Sequence, residues 1–521
     1  MEKKKRVLGI VEWIIVVALI GSLTYTAIYT KNRLQEVDEM INMTDSKLVL
    51  YEGPKSLKDA TEGDLKALKE RERDIALMHC TDTTIKVNGY ESYVYDTNVN
   101  HNRSWSSDFM PPLSRTPVTY FDFEGIANIE VAVPNMELDT VKISPVELGI
   151  EPVINKEAHT VSFTIMEPGN YTLTFNDTPS RAVHIFTNPL ETNVPSADDE
   201  NVIFIGPGEW NIESILLEDN QTLYISGGAV IHGIVNANYA ENVKVLGRGI
   251  IDGSHLGTWG GKSAYIPLKF DNCEKVELRD VIVLNPNAWV LNSFNTKDEL
   301  IDGVRIISSR PNGDGITLQS CTDITVQNCF VRSWDDSMVV KNYGGNSSNI
   351  TFKDSQLWTD LAQSMEIGFE TNKGNQENPV ISNITFENIT VLNNFHKPII
   401  SLHNADNALI KDITFKNITI ENAQTGSGDG NEMPYLIDFW ITNSPNWTTT
   451  KERGQIQNIT VDGVKVLGGK FLASRIKGFD ETHAIDGVTI KNLEILGEKI
   501  TSPEQGKFEI DTTSAKNITI E

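Results

Sequence analysis

The chemistry-bearing residues of this chain are two acidic clusters, Asn312-Gly313-Asp314-Gly315 and Trp334-Asp335-Asp336, in which Asp314 and Asp335 stand 21 positions apart. The surrounding sequence repeats with a period of about that length. If each repeat is one rung of a solenoid, residues one period apart stack at about 4.8 Å, and the carboxylates converge on one patch. Three carboxylates packed so closely do not all ionise near neutrality, so at least one keeps its proton. One group can then protonate a leaving oxygen while another activates water, the pairing that glycoside hydrolysis requires. Either cluster alone reads as an ordinary turn or solvated loop. The one-period spacing is what joins them into a candidate site.

The elements that must hold these groups are visible as a recurring pattern. From about Asn201 onward, Asn or Asp precedes an apolar-x-apolar strand and a second Asn, as in Asp323-Ile-Thr-Val-Gln-Asn, Asn349-Ile-Thr-Phe-Lys-Asp, Asn383-Ile-Thr-Phe-Glu-Asn and Asn517-Ile-Thr-Ile. Short strands repeating in this way predict a parallel β-helix. The Asn-x-Thr triplets fit corners whose Asn side chains hydrogen-bond along the stack better than glycosylation acceptors. Between Thr84 and roughly Asn193, short alternating runs such as Val118-Thr-Tyr-Phe-Asp-Phe and Tyr171-Thr-Leu-Thr-Phe predict a small β-sandwich.

Upstream, residues 31–78 are charged and helix-prone and read as a helical stalk. Val7 to Tyr29 is apolar apart from Glu12, and about 23 residues at 1.5 Å each span about 35 Å, enough for a bilayer. Lys3, Lys4, Lys5 and Arg6 precede the run, which orients the rest of the chain outward by the positive-inside rule. The expectation is therefore an all-β protein with four parts. Residues 1–30 are a cytoplasmic tip and transmembrane anchor, 31–78 a stalk, 79–195 a β-sandwich and 196–521 a parallel β-helix carrying the chemistry. A cleaved signal peptide, giving a secreted protein, is the competing reading of the first segment.

Composition narrows the partners. Among 521 residues, 45 are Lys or Arg and 71 Asp or Glu, a net charge of -26 that argues against nucleic acid. The four cysteines, Cys80, Cys273, Cys321 and Cys329, show no zinc spacing. Cys273 and Cys321 lie two periods apart, about 9.6 Å and beyond disulfide reach, so buried free thiols are expected. No metal or cofactor is implied.

Gly249-Ile-Ile-Asp252-Gly253, Asn285-Pro286-Asn287-Ala288-Trp289, Asn312-Gly313-Asp314-Gly315 and Asp335-Asp336-Ser337-Met338 follow one another in the order found in family 28 glycoside hydrolases, and the chain resembles a polygalacturonase-type member. The resemblance implies a right-handed β-helix, a polysaccharide substrate of the pectin type, and inverting hydrolysis without a metal. It assigns Asp335 as general acid, with Asp314 and Asp336 as the pair that activates water. Departures from the family pattern qualify the substrate. Gln363 stands where the pattern has a histidine. His396-Lys397 stands where a basic Arg-Ile-Lys would grip a uronate, while the literal Arg475-Ile476-Lys477 lies far downstream and reads as coincidence.

The sandwich, three aspartates and absent histidine also resemble family 49 dextranases and isopullulanases, which act on neutral α-glucans; a galactan hydrolase is a further alternative. A non-catalytic polysaccharide-binding or adhesion protein is the rival from another class. Asn312, Trp289, Trp334, Lys341, Gln363, Glu366, His396 and Lys397 complete the candidate substrate-binding set, the tryptophans through ring stacking on sugars. Trp358 reads as core. Ala423 to Gly454, rich in Gly, Asn and Thr, reads as a wall at one end of a cleft or as a flexible insertion.

Overall fold

A computed structural model describes residues 46–58, 76–100, 114–256, 265–395, 397–423 and 434–521. The apolar run from Val7 to Tyr29 lies outside the described residues, and among those described no helix is long and apolar enough to cross a membrane.

The N-terminal domain is a sandwich of a seven-stranded and a five-stranded sheet. Alternation along Ala127–Ala132 and Thr160–Ile165 turns Ile129, Val131, Val161 and Phe163 inward, where they meet Phe121, Phe123, Leu173 and Ile185 from the facing sheet. The expected helical stalk is corrected over part of its described length: among the described residues of 31–78 the only helix is the single turn Lys55–Lys58. Lys47–Leu50 is a strand paired antiparallel with Phe121 to Glu124, and Leu48 and Leu50 pack against the sandwich core. Leu77 is buried, and Met78–His79 pairs with Tyr95 and Asp96. Residues 59–75, which carry most of the interleaved charges that suggested a helix, lie outside the described residues.

From Val202 to Ile520 the chain forms a single coiled sheet of 29 strands. Its pairings are parallel except where Leu493–Ile495 meets Glu498–Ile500. One continuous interior of Ile, Val, Leu and Phe runs its length. Phe352, Phe386 and Phe415 stack on successive turns at 4.7 and 5.0 Å between centroids. The Asn corners do what their repetition implied. Asn349, Asn383 and Asn458 all take left-handed backbone angles, which Asn tolerates better than most residues. Asn349 Nδ2 donates to Asp323 Oδ1 at 2.8 Å, and Asn383 Nδ2 donates to Asn349 Oδ1 at 2.8 Å. The four cysteines are free and buried.

Buried charges fasten the two domains together. Arg305 donates to Asn170 at 3.0 Å, and Arg332 is held by Asp360 at 2.9 Å while its second arm donates to His184 Nε2 at 3.2 Å. Burial, then the Arg332 charge, holds His184 well below the ordinary imidazole range, so its nitrogen is free of a proton and accepts. Glu421 accepts from the Val146 amide at 2.7 Å and from Lys142 at 3.2 Å. Trp358 is buried in this seam under Arg332.

Candidate active site

One strand column carries the chemistry: Leu291–Phe294, Ile316–Gln319, Met338–Lys341, Met365–Phe369, Ile400–Asn404 and Tyr435–Ile441 stack in parallel. The register aligns Ile316, Met338, Met365 and Ile400. Two positions ahead of each, Asp314, Asp336, Gln363 and Pro398 are therefore stacked. One position earlier still stand Gly313, Asp335, Ala362 and Lys397. Backbone bonds carry this alignment across the turns, with Gly315 N donating to Asp336 O at 2.8 Å and Ser337 N to Gln363 O at 2.9 Å. Asp314 and Asp336 thus sit on adjacent rungs, and Asp335 projects beside them.

Gly313 and Gly315 permit this crowding. A Cβ on Gly313 would lie 2.6 Å from Arg310 O, and one on Gly315 would lie 2.5 Å from Ser337 O. Larger residues there would push the two acidic turns apart.

Burial and mutual repulsion set the protonation of the three acids. Asp314 and Asp336 are 3% and 8% exposed, whereas Asp335 is partly exposed. Burial, then the Asp314 charge, pushes Asp335 up to about 7. Burial, then the Asp335 and Asp314 charges, raises Asp336 well above the carboxylate range. Asp314 is raised by burial as well, but Lys341 opposes the shift. Lys341 Nζ lies 3.2 Å from Asp314 Oδ2 and 3.3 Å from Glu370 Oε2. Asp314 is therefore the acid most readily ionised, and Asp335 is the solvent-reachable acid that holds a proton at neutrality.

The outward positions of the same column form a floor of paired charges. Val339, Glu366, Ser401, Asp438 and Arg475 succeed one another in register. His403 Nδ1 lies 3.0 Å from Glu366 Oε1 and its Nε2 3.1 Å from Asp438 Oδ2. Arg475 grips Asp438 with two nitrogens at 2.8 and 2.7 Å. Burial opposes a charge on His403, but Glu366 and Asp438 overcome it and hold the imidazolium up to about 10.

The other sequence candidates divide. Trp289 is partly exposed with Lys341 Nζ 5.5 Å from its ring centre, and Asn312 is partly exposed. Gln363 is buried, its backbone N–H donating to Asp336 Oδ1 at 3.2 Å. Glu366 is fully buried, and Lys397 is 8% exposed on the rung stacked above Ala362. His396 lies outside the described residues. Trp334 corrects the expectation placed on it: at 1% exposure it offers no face to a sugar. Its ring is packed inside the protein, and the Trp334 amide donates to Ser308 Oγ at 3.0 Å.

Arg475 is also corrected. Remote in sequence, it shares the floor with Glu366, three strands along, and is already engaged by Asp438. His403, Asp438 and Glu370 were not singled out from sequence. The signal available for His403 and Asp438 was alternation, since each stands at an outward position next to an apolar residue aligned with Ile316-Thr-Leu and Met338-Val-Val; Glu370 lies just past its strand and carried no such signal.

Comparison with known proteins follows the same region. The profile of "Glycosyl hydrolases family 28" matches residues 214–508, which take in the three aspartates and the whole floor. A probable polygalacturonase of Vitis vinifera is 29% identical over 121 residues, 21% of this chain and 24% of that protein. A polygalacturonase of Brassica napus is 27% identical over 108 residues, 19% of this chain and 27% of that protein. The chain thus spans about a quarter of the length of these curated relatives. Dex49A from Penicillium minioluteum superposes with a TM-score of 0.61 at 13% identity, covering 91% of this chain and 96% of its own. That likeness is one of fold, and it takes in both domains described above.

Proposed function

This chain belongs to glycosyl hydrolase family 28; we propose that it is a glycoside hydrolase that cuts a pectin-type polysaccharide by single displacement with inversion at the anomeric carbon. The observation that carries the reading is the convergence of Asp314, Asp335 and Asp336 from adjacent rungs, with Asp335 facing solvent. Asp335, protonated near neutrality, gives its proton to the glycosidic oxygen. Asp314, ionised against Lys341, takes a proton from water as that water attacks the opposite face of the sugar, and Asp336 holds the water in line. Inversion needs roughly 6.5 to 9.5 Å between acid and base. One strand spacing plus divergent side chains supplies a separation of that order.

The polygalacturonase relatives favour a uronate polymer. A neutral polymer is the second reading, and the floor favours it. Lys341, His403 and Arg475 are each held between or against carboxylates, so a uronate carboxyl would compete with partners already in place. The test is to incubate the full chain with polygalacturonate, galactan and dextran, measure reducing ends, and follow the first product by proton NMR. Release of the inverted anomer supports the mechanism, whereas the retained anomer or binding without cleavage overturns it.

The apolar run from Val7 to Tyr29 supports one further part of the reading, anchorage to a membrane with the hydrolase outside the cell. Protease added to intact cells should remove the β-helix epitope. Protection from it would refute the orientation.

A further inference from the structure

Along the column from Lys341, two tryptophans stand at the surface of the same face. Trp440 occupies the outward position in register with His403 and Gly368, and it is partly exposed. Trp447 is 36% exposed on the turn that follows, 6.1 Å from Phe369 ring to ring, and Phe369 in turn stacks on His403 at 4.2 Å. Isolated exposed aromatics need no explanation. These two lie on the face that carries the acids and belong to one chain of rings, Trp447 on Phe369, Phe369 on His403, and His403 edge-on to Trp440 at 6.3 Å.

Buried charge braces both. Arg475, on the next strand, lies 4.1 Å over one face of the Trp440 ring while two of its nitrogens grip Asp438, which holds the ring in place. The Trp447 turn is held by Asp406, which is fully buried and accepts from the amides of Thr449 at 2.8 Å and Thr450 at 2.9 Å. Arg453 secures the same turn from below through the Thr442 carbonyl at 3.1 Å. Rings ordered in advance lose little freedom when a ligand stacks on them.

We propose that Trp440 and Trp447 are distal sugar-stacking positions, a platform for successive units of one chain, Trp447 beside Phe369 one strand spacing from the strand that follows Asp335 and Asp336, and Trp440 three strand spacings, about 14 Å, along the helix axis. The proposal rests on the hydrolase reading and extends it. The substrate is a chain several units long, lying along the axis, and its far units are gripped by ring stacking that needs no charge on the sugar. Part of the Gly- and Asn-rich stretch before Gly454 is thereby a binding wall.

The test measures affinity for tri- and hexasaccharides of galacturonate and of α-1,6-glucan in the full chain carrying Asp335→Asn, by calorimetry, with hydrolysis read separately in the unaltered chain. The platform predicts that the hexamer of at least one series binds about tenfold or more tighter than its trimer. Trp440→Ala or Trp447→Ala should remove most of that gain, and Trp440→Phe should keep it. A gain that survives both alanine variants, or no gain in either series, overturns the platform. Absence of cleavage with the gain intact overturns the hydrolase reading and leaves the platform standing.

Discussion

Lys341 is a cation placed directly against Asp314, and replacing it with methionine isolates what its charge does. Its ammonium lies 3.2 Å from Asp314 and 3.3 Å from Glu370, with the three side chains only 6%, 4% and 6% exposed. At an effective dielectric near 20, each contact is worth about 5 kcal/mol of attraction before desolvation is subtracted. Removing one partner of such a buried set costs about 3–5 kcal/mol, because the acids left behind are uncompensated. For a chain of this length the unfolding entropy is roughly 1 kcal/mol/K, so Lys341→Met should lower the melting temperature by about 3–5 °C at pH 8.

The loss should shrink as the solution is acidified. Asp314 already has a raised folded-state value, and without Lys341 it rises further. A carboxyl whose folded value exceeds its unfolded value destabilises the fold above that folded value, and the penalty is relieved as pH falls through it. Calorimetric scans of both proteins at pH 8 and pH 5 therefore decide the point. An equal drop at both pH values, or none at pH 8, would refute the electrostatic role and leave Lys341 as packing.

Further outcomes follow from other parts of the molecule. Because burial and the Asp314 charge push Asp335 up to about 7, kcat/KM should fall as pH rises through about 7, when the acid gives up its proton; a profile flat from pH 6 to 9 would remove Asp335 from that role. Asn383 combines a left-handed backbone with a 2.8 Å bond to Asn349, so Asn383→Ala should cost about 1–3 kcal/mol, while Asn383→Gly, free of the strain, should cost less. Thermal scans that rank them the other way would contradict the corner account. Glu421→Ala removes the acceptor of the Val146 amide, and hydrogen exchange at that amide should speed up by about tenfold or more; unchanged exchange would show that the seam between the domains does not depend on it.

The solenoid was legible because its corners are chemically specific. A residue that must bend left-handed and bond along the stack is Asn or Asp again and again, and the strand between corners must alternate. The three aspartates were singled out by their one-period spacing, and the structure adds that Gly313 and Gly315 sit in turns too tight for a Cβ. The rest of the floor was hidden by loops of unequal length. Glu366, His403 and Asp438 fall 37 and 35 residues apart, so the near-constant period that paired Asp314 with Asp335 no longer held, and Arg475 looked like an accident.

Trp334 misled for the opposite reason. Adjacency to the acids says nothing about which way a ring points, and the turn directs it inward. The segment Lys47–Leu50 carried too few residues to show strand alternation against the charges around it.

The most direct test of the account is the rate of reducing-end release by Asp335→Asn beside the unaltered chain, on whichever polysaccharide the latter cuts, with circular dichroism as the control for folding. Loss of the proton donor should lower kcat by about 10²–10⁴-fold while the β-sheet spectrum stays the same. A folded Asp335→Asn protein that cuts at the full rate would contradict the assignment of the rung-stacked aspartates as the catalytic machinery.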